Sequence, residues 1–317
     1  MNSGNPLKKG LETTGLPGHL KTLAGTMRLP FLLLTPSVML LGLATAFWEN
    51  GGRVNLADFL IALLAGTAAH VSVNALNEYS DFKTGLDSHT KRTPFSGGSG
   101  ALQERPELSW IALATGVACA LVVTGAGIYF ISREGWQLLP LLAAGLLVVT
   151  AYTPLLTHAP MACLVAPGLG FGTILVTGTH FVLTGHYSMS ALWASLVPFF
   201  LVNDLLLLNQ FPDVEADKKV GRRHFPLAIG RKKSAEIYVF QLMLAYLAIA
   251  GGIILGLFPW QSVLGLLTLP LAVKAARGAR QHADDMKNLV PVLGKNVLIN
   301  LLTPVLVAAG MALAVLL

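Results

Sequence analysis

Residues 57–87 read ADFLIALLAGTAAHVSVNALNEYSDFKTGLD. From Phe59 to Asn77 there is no Asp, Glu, Lys or Arg, and the run is dominated by Ala, Leu, Val and Ile. A predominantly apolar run of about 20 residues is what a helix needs to cross a bilayer core. The stretch then turns abruptly polar, with Asn77, Glu78, Asp81 and Asp87 in quick succession. It therefore predicts a membrane-spanning helix whose end carries a group of acids and amides.

The rest of the chain repeats the apolar half of that pattern. Spanning runs are expected at 28–48, 57–79, 108–130, 137–155, 161–184, 190–211, 235–257, 260–276 and 297–317, about nine in all. Composition agrees: of 317 residues 54% are hydrophobic and 12% charged, and the mean hydropathy is +0.64. Soluble domains carry about 25% charged residues. Long unbroken runs favour helices over barrel strands, which show short alternating segments. The expected fold class is thus an all-α integral membrane protein. No polar linker divides it, so one domain is read at 28–317, preceded by a polar segment at 1–27. That segment has no apolar stretch followed by a small-residue cleavage site, and no signal peptide is expected. Cys119 and Cys163 lie in apolar runs and read as packing residues, not as a metal or disulfide framework.

Basic residues orient the spans. In a nine-helix arrangement all Lys and Arg fall on one face except Arg53 and Arg133. The positive-inside rule makes the rich face cytoplasmic, with the N-terminus on it. Two long polar connections, roughly 80–107 and 212–234, follow even-numbered spans and share that face. Long loops in a helical bundle are more often functional.

Each connection opens with an acidic cluster. In the first, Asn74, Asn77 and Asp81 are spaced to share one helical face, with Asp87 beyond a helix stop at Gly85. The second reads NQFPDVEADKKVGRR, residues 209–223, and places Asn209, Asp213 and Asp217 at i, i+4 and i+8. Pro212 should kink this helix and Gly221 should stop it. Carboxylates alone repel an anionic diphosphate. Mg²⁺ removes the conflict, because it takes one or two carboxylates and binds phosphate oxygens with its other positions. Asp81, Asp87, Asp213 and Asp217 are the expected metal ligands. Asn77, Asn209 and the neighbouring Lys91, Arg92, Arg222 and Arg223 would add direct contacts to the diphosphate. Together they would stabilise charge building on a leaving group, which casts Asp81 and Asp213 as catalytic. The plainer reading, solvated charges at helix ends, covers any single Asp. Two N-x3-D clusters on one face after equivalent spans weigh against it. Asp204, inside the sixth span, is read either as a cavity-facing base or as a partner of a neighbouring helix backbone. The KRTPFSGGSG segment, Lys91 to Gly100, reads equally as an anion-binding nest or as a flexible linker. It is not a phosphate-binding P-loop. His158 reads as a loop residue.

These residues resemble the UbiA superfamily of intramembrane prenyltransferases, especially its menaquinone-type members. The resemblance rests on N-x3-D-x5-D at Asn77, Asp81 and Asp87, on N-x3-D-x3-D at Asn209, Asp213 and Asp217 followed by Gly221-Arg222-Arg223, and on the opening MRLPFLLLTPSVMLLG. It implies helices around a central cavity, capped by polar cytoplasmic loops that bind prenyl diphosphate with Mg²⁺. A lateral opening would admit the isoprenoid tail. The implied reaction is ionisation to an allylic cation, attack by an electron-rich acceptor, then proton loss. The first acceptor expected is 1,4-dihydroxy-2-naphthoate, with 4-hydroxybenzoate or a lipid as alternatives. The partners are then prenyl diphosphate, an aromatic or lipid acceptor and membrane lipid, with no nucleic acid. The expected location is the plasma membrane of a bacterium or archaeon. Glu78 stands where the family often has Asp, and His224-Phe225 replaces a commoner Thr-Leu. The connection TPLLTHAPMACLVAPGLG, residues 153–170, lacks the basic residues that quinone-pathway members usually carry there.

Rival chemistries fit less well. A CDP-alcohol phosphotransferase needs a D-x2-D-G-x2-A-R run, which is absent. A soluble isoprenyl synthase needs DDxxD, which Asp284-Asp285-Met286-Lys287-Asn288 does not satisfy. A multi-helix transporter should hold its polar site near the midplane of inverted repeats, not at one face beside basic loops.

Overall fold

The computed structural model describes residues 16–86, 90 and 92–317. Asp87 and Lys91, two of the expected site residues, lie outside the described residues. The described residues form helices and no strands. The principal ones are α1 (Leu16–Met27), α2 (Leu34–Glu49), α3 (Leu56–Thr84), α4 (Ser109–Glu134), α5 (Leu139–Ala151), α6 (Pro160–Gly168), α7 (Leu175–Thr184) and α8 (Met189–Asn209). They are followed by α9 (Val214–Lys219), α10 (Phe225–Ile229), α11 (Arg231–Ile254), α12 (Leu269–Gln281) and α13 (Met286–Leu316).

Among the described residues, eight helical stretches are long and apolar enough to cross a membrane. The expected fourth span, at 137–155, is the shorter apolar helix Trp136–Ala151. At about 1.5 Å per residue it reaches roughly 24 Å, short of a hydrocarbon core of about 30 Å. The last helix begins at Met286, well before the expected 297, because Asp285 caps it: its carboxylate accepts the Asn288 N–H at 3.3 Å. Lys287, Asn288 and Lys295 hid that turn from a hydropathy reading. The nominally polar segment before residue 28 also contributes structure. Its helix α1 buries Thr22 and Thr26, and Lys21 pairs with Glu104 at 2.8 Å.

Large apolar side chains such as Trp110, Leu121, Leu147, Leu247 and Ile254 face outward. On a multi-pass membrane protein these are the lipid-facing positions, since lipid is as good a solvent for them as the interior. Inside, α2, α8, α11 and α13 share a core that includes Val38, Leu201, Tyr238 and Ile299. The fifth span bends where Pro167 precedes a π-helical turn, Leu169–Ile174. There Gly168 and Gly172 press on α8 so closely that a Cβ at either would meet the Phe199 backbone at 2.2 and 2.5 Å. Small residues four apart permit that approach. A cavity lies between the α3–α4 pair and the α5–α8 region.

Candidate active site

The cavity encloses about 380 Å³. One end is polar and one long side is greasy. Asn74, Asn77, Asp81, Asn209, Asp213, Asp217, Arg28, Arg222 and His224 line the mouth, while Met39, Val123, Phe130, Leu138, Leu142, Phe171 and Val182 line the chamber. Phe130 and Leu138 pack with Phe59, near the opposite end of α3 from Asp81. The chamber therefore follows α3 for most of its length.

Of the first cluster, the described Asn74, Asn77 and Asp81 line the polar end of the cavity. Asn55 caps the start of α3, accepting the N–H groups of Ala57 at 3.0 Å and Asp58 at 3.4 Å. Gly85 ends the helix in the left-handed region, at φ 72°. Between those signals Asn74, Asn77 and Asp81 do share one face. Asn77 Nδ2 donates to Asp81 Oδ2 at 3.0 Å, and Thr153 Oγ donates to Asn77 Oδ1 at 3.0 Å.

The second cluster departs from expectation. Asn209, Asp213 and Asp217 do not lie on one continuous helix: α8 stops at Asn209, a turn follows, and α9 starts at Val214. Pro212 is the cause, because it has no N–H and its ring clashes with the carbonyl four residues earlier. The turn still delivers all three side chains to the mouth. Gly221, at φ 78°, then reverses the chain after α9. This brings Arg222 back against both clusters. Its guanidinium donates to Asp81 Oδ1 and, at 3.1 Å, to Asp217 Oδ1. His224 Nε2 lies 2.9 Å from the other Asp217 oxygen.

Two oxygens at the mouth stay buried and unpartnered, Asn209 Oδ1 and Asp213 Oδ1. Burial, and next the charge of Asp217, push the Asp213 carboxyl up to about 7, against the pull of the Ser96 hydroxyl, Arg222 and Arg28. Among the described residues, then, the mouth offers oxygen donors from Asp and Asn, and two of them lack any satisfaction. That hard-oxygen set fits Mg²⁺ far better than a softer metal.

Several residues of the mouth had been given no role in the site by the sequence reading. Arg28 had counted only towards topology. It adopts a left-handed backbone, φ 52°, unlike every other described non-glycine residue, a conformation that costs roughly 1–2 kcal/mol. It spends that strain on a two-pronged bond to the fully buried Glu78, with Nε and Nη2 each at 2.7 Å. Glu78 also accepts Ser99 N–H and Oγ–H, both at 2.8 Å. This clamp fixes the loop that ends in Gly97, Gly98 and Gly100, with φ between 70° and 88°. The loop is a tied turn lining the mouth, not a free linker. His224 and the Cys163–Gln210 pair, with Sγ and Nε2 3.2 Å apart, complete the wall. No local signal marks these residues, since each depends on a contact distant in sequence.

Three expected residues stand elsewhere. Asp204 is fully buried but lies behind the cavity wall, among Gln241 (3.3 Å) and Asn296, whose Nδ2 donates to the Asp204 carbonyl at 3.3 Å. The reading as a cavity-facing base is thereby corrected. A helical face pointing at α11 and α13 cannot also point at α3. Arg92 is exposed and donates to Gln103 at 3.1 Å. Arg223 is exposed, and its backbone N–H bonds the Thr157 carbonyl at 2.9 Å.

Comparison with known proteins places this geometry. The sequence profile of the UbiA prenyltransferase family matches residues 38–292. A 1,4-dihydroxy-2-naphthoate octaprenyltransferase of Bacillus subtilis is 28% identical over 245 residues, covering 75% of this chain and 76% of its own. The enzyme of the same name from Haemophilus influenzae is 24% identical over 279 residues, covering 85% and 89%. A UbiA homologue from Archaeoglobus fulgidus, solved bound to DMAPP and Mg²⁺, superposes with a TM-score of 0.60 at 11% identity, covering 92% of this chain and 99% of the other.

Proposed function

The chain belongs to the UbiA prenyltransferase family, and from that premise we propose that it transfers a prenyl group from prenyl diphosphate to 1,4-dihydroxy-2-naphthoate with Mg²⁺ as cofactor. The observation that carries the reading is the mouth itself. Acids from two distant segments converge there on one guanidinium, at the polar end of an otherwise apolar chamber. The naphthoate acceptor is supported by relatives of that name.

Asp81, Asp213, Asp217 and Asn209 would hold the metal, with Asp87 a further candidate. Bound there, Mg²⁺ would neutralise the diphosphate and favour its departure. Arg222 sits between the clusters, so it can hand its N–H groups from Asp81 and Asp217 to diphosphate oxygens. Asn77 is pinned by Thr153 and keeps Asp81 oriented. Arg92 and Arg223, exposed outside the mouth, would draw the anion towards it by long-range attraction, with Lys91 a further candidate. The bond from the prenyl C1 to the diphosphate oxygen breaks, and the oxygen keeps the electron pair. Phe171, Tyr152 and Phe31 line the cavity, where aromatic faces stabilise a cation and the greasy wall excludes water. An electron-rich ring carbon of the acceptor then bonds to C1, and that carbon gives up its proton to restore the aromatic ring. Following the excess of Lys and Arg, the mouth opens on the cytoplasmic face.

The test is pyrophosphate release by purified protein with long prenyl diphosphates, Mg²⁺ and a panel of acceptors. We expect release that needs both Mg²⁺ and 1,4-dihydroxy-2-naphthoate, with a prenylated naphthalene product. Equal release with 4-hydroxybenzoate or a glycerol lipid instead would remove the naphthoate assignment.

A further inference from the structure

We propose that the protein carries a second metal site, for a zinc-class divalent ion, at the end of the helices away from the catalytic mouth, formed by Glu49, His180 and His186. Glu49 ends α2, His180 lies in α7, and His186 follows the turn at Gly185. One carboxylate oxygen and two imidazole nitrogens there lie within 4.8 Å of one another.

Hydrogen bonds fix what those atoms can do. The Thr45 hydroxyl donates to the Gly42 carbonyl at 2.8 Å, so towards His180 Nδ1, at 3.0 Å, it can only accept. His180 therefore carries its proton on Nδ1. His186 Nδ1 lies 3.1 Å from the Thr184 carbonyl, which is also only an acceptor, so it too is protonated there. In the neutral form of each ring, Nε2 is then the lone-pair nitrogen. His180 Nε2 is buried with no hydrogen-bond partner, on a side chain with no exposed surface, and it faces Glu49 Oε2 at 3.5 Å. His186 Nε2 faces the same oxygen at 3.8 Å. With both rings neutral, three electron-rich atoms converge there, and a bound cation would relieve their repulsion.

The spacing and support match a metal. Two ligand atoms of a tetrahedral zinc with bonds of about 2.1 Å stand roughly 3.4 Å apart, near the separations here. Ligating histidines characteristically donate their other N–H to an outer acceptor, the role of Thr45 and Thr184. Ser188, the cap of α8, donates to the other Glu49 oxygen and holds the carboxylate in place. Imidazole nitrogens select zinc-class ions over Mg²⁺. Three protein ligands leave a fourth position for water, and the ion would staple α2 to α7 and to the start of α8.

The experiment titrates Zn²⁺ into chelator-stripped full-length protein in detergent, in millimolar Mg²⁺ to occupy the mouth, against a chromophoric chelator. One equivalent should bind, and Co²⁺ should give the visible absorption of a low-coordinate site. Loss of an outer partner costs about 10–100-fold in metal affinity. Thr45→Val should weaken binding by that much, and His186→Ala or Glu49→Gln by more, while both keep prenyl transfer. Zn²⁺ should raise the melting temperature of the wild type and not of His186→Ala. Absence of a stoichiometric equivalent in the wild type overturns the proposal. So does binding that survives His186→Ala, or that disappears in Asp213→Ala instead.

Discussion

Asp81 stands on an unbroken helix, and Asp213 stands in a turn that a proline forced open. On α3 the capping Asn55 and the terminating Gly85 leave a regular helix between them, so Asn77 and Asp81 hold each other through an i, i+4 contact. In the second cluster no such contact forms. Asp217 is bonded by Arg222 and His224, while Asn209 and Asp213 each keep a buried oxygen unsatisfied. Buried polar atoms without partners are costly. The first cluster is thus preorganised by its own helix, and the second is stored in a state that a bound cation would relieve.

The largest expected effect breaks the second cluster. Asp213→Ala should lower prenyl transfer by at least about 100-fold, the scale of losing a group aimed at developing charge. Size-exclusion chromatography should show the protein still folded, because the change removes an unsatisfied oxygen. Asp81→Ala should cost as much turnover but more stability, since Arg222 and Asn77 each lose a bond. If thermal melting falls equally in both variants, the contrast between the clusters is wrong. Next in size is Arg222→Lys. One ammonium cannot reproduce a two-pronged guanidinium bridge, so KM for prenyl diphosphate should rise about tenfold or more, with KM for the acceptor nearly unchanged. Equal increases for both substrates would detach Arg222 from the diphosphate.

How much of this was legible follows from the range of the forces involved. Spans and their polar ends are written in local hydropathy, so Phe59 to Asn77 reads as membrane and Asn77 to Asp81 as its end. Gly85 and Gly221 were readable as stops because a positive φ has a local price. Pro212 was readable as a disturbance, but not as a full break that still converges on the mouth. The Glu78 clamp was invisible, because it joins Arg28, Glu78 and Ser99 across long loops. Trp136–Ala151 satisfied composition and fell short only in length.

The titration of Asp213 gives a smaller and graded effect. A carboxyl pushed up to about 7 is protonated below that pH and ionised above it. A metal ligand must be deprotonated, so Mg²⁺ binding should release a proton and weaken as pH falls. Between pH 7 and 6 the apparent Mg²⁺ affinity should drop about fivefold in the wild type, following one group that titrates at about 7. In Asp213→Asn the slope should flatten, because no proton remains to compete there. A slope unchanged by that substitution would move the titrating group to another residue.

The smallest effect tests what membrane depth means for an acid. Among the described residues Asp204 is as buried as any carboxylate, and its place inside an apolar span made it a candidate for catalysis. Its neighbours, however, are Gln241 and the backbone-bonding Asn296, on the side of α8 that faces α11 and α13. An amide of the same shape can still accept from Gln241, so Asp204→Asn should leave turnover close to wild type. Asp213→Asn, one residue type and one substitution alike, should not. Comparable losses in the two variants would show that the polar cluster behind the cavity wall is coupled to the chemistry, and that the wall between them is not the boundary the packing describes.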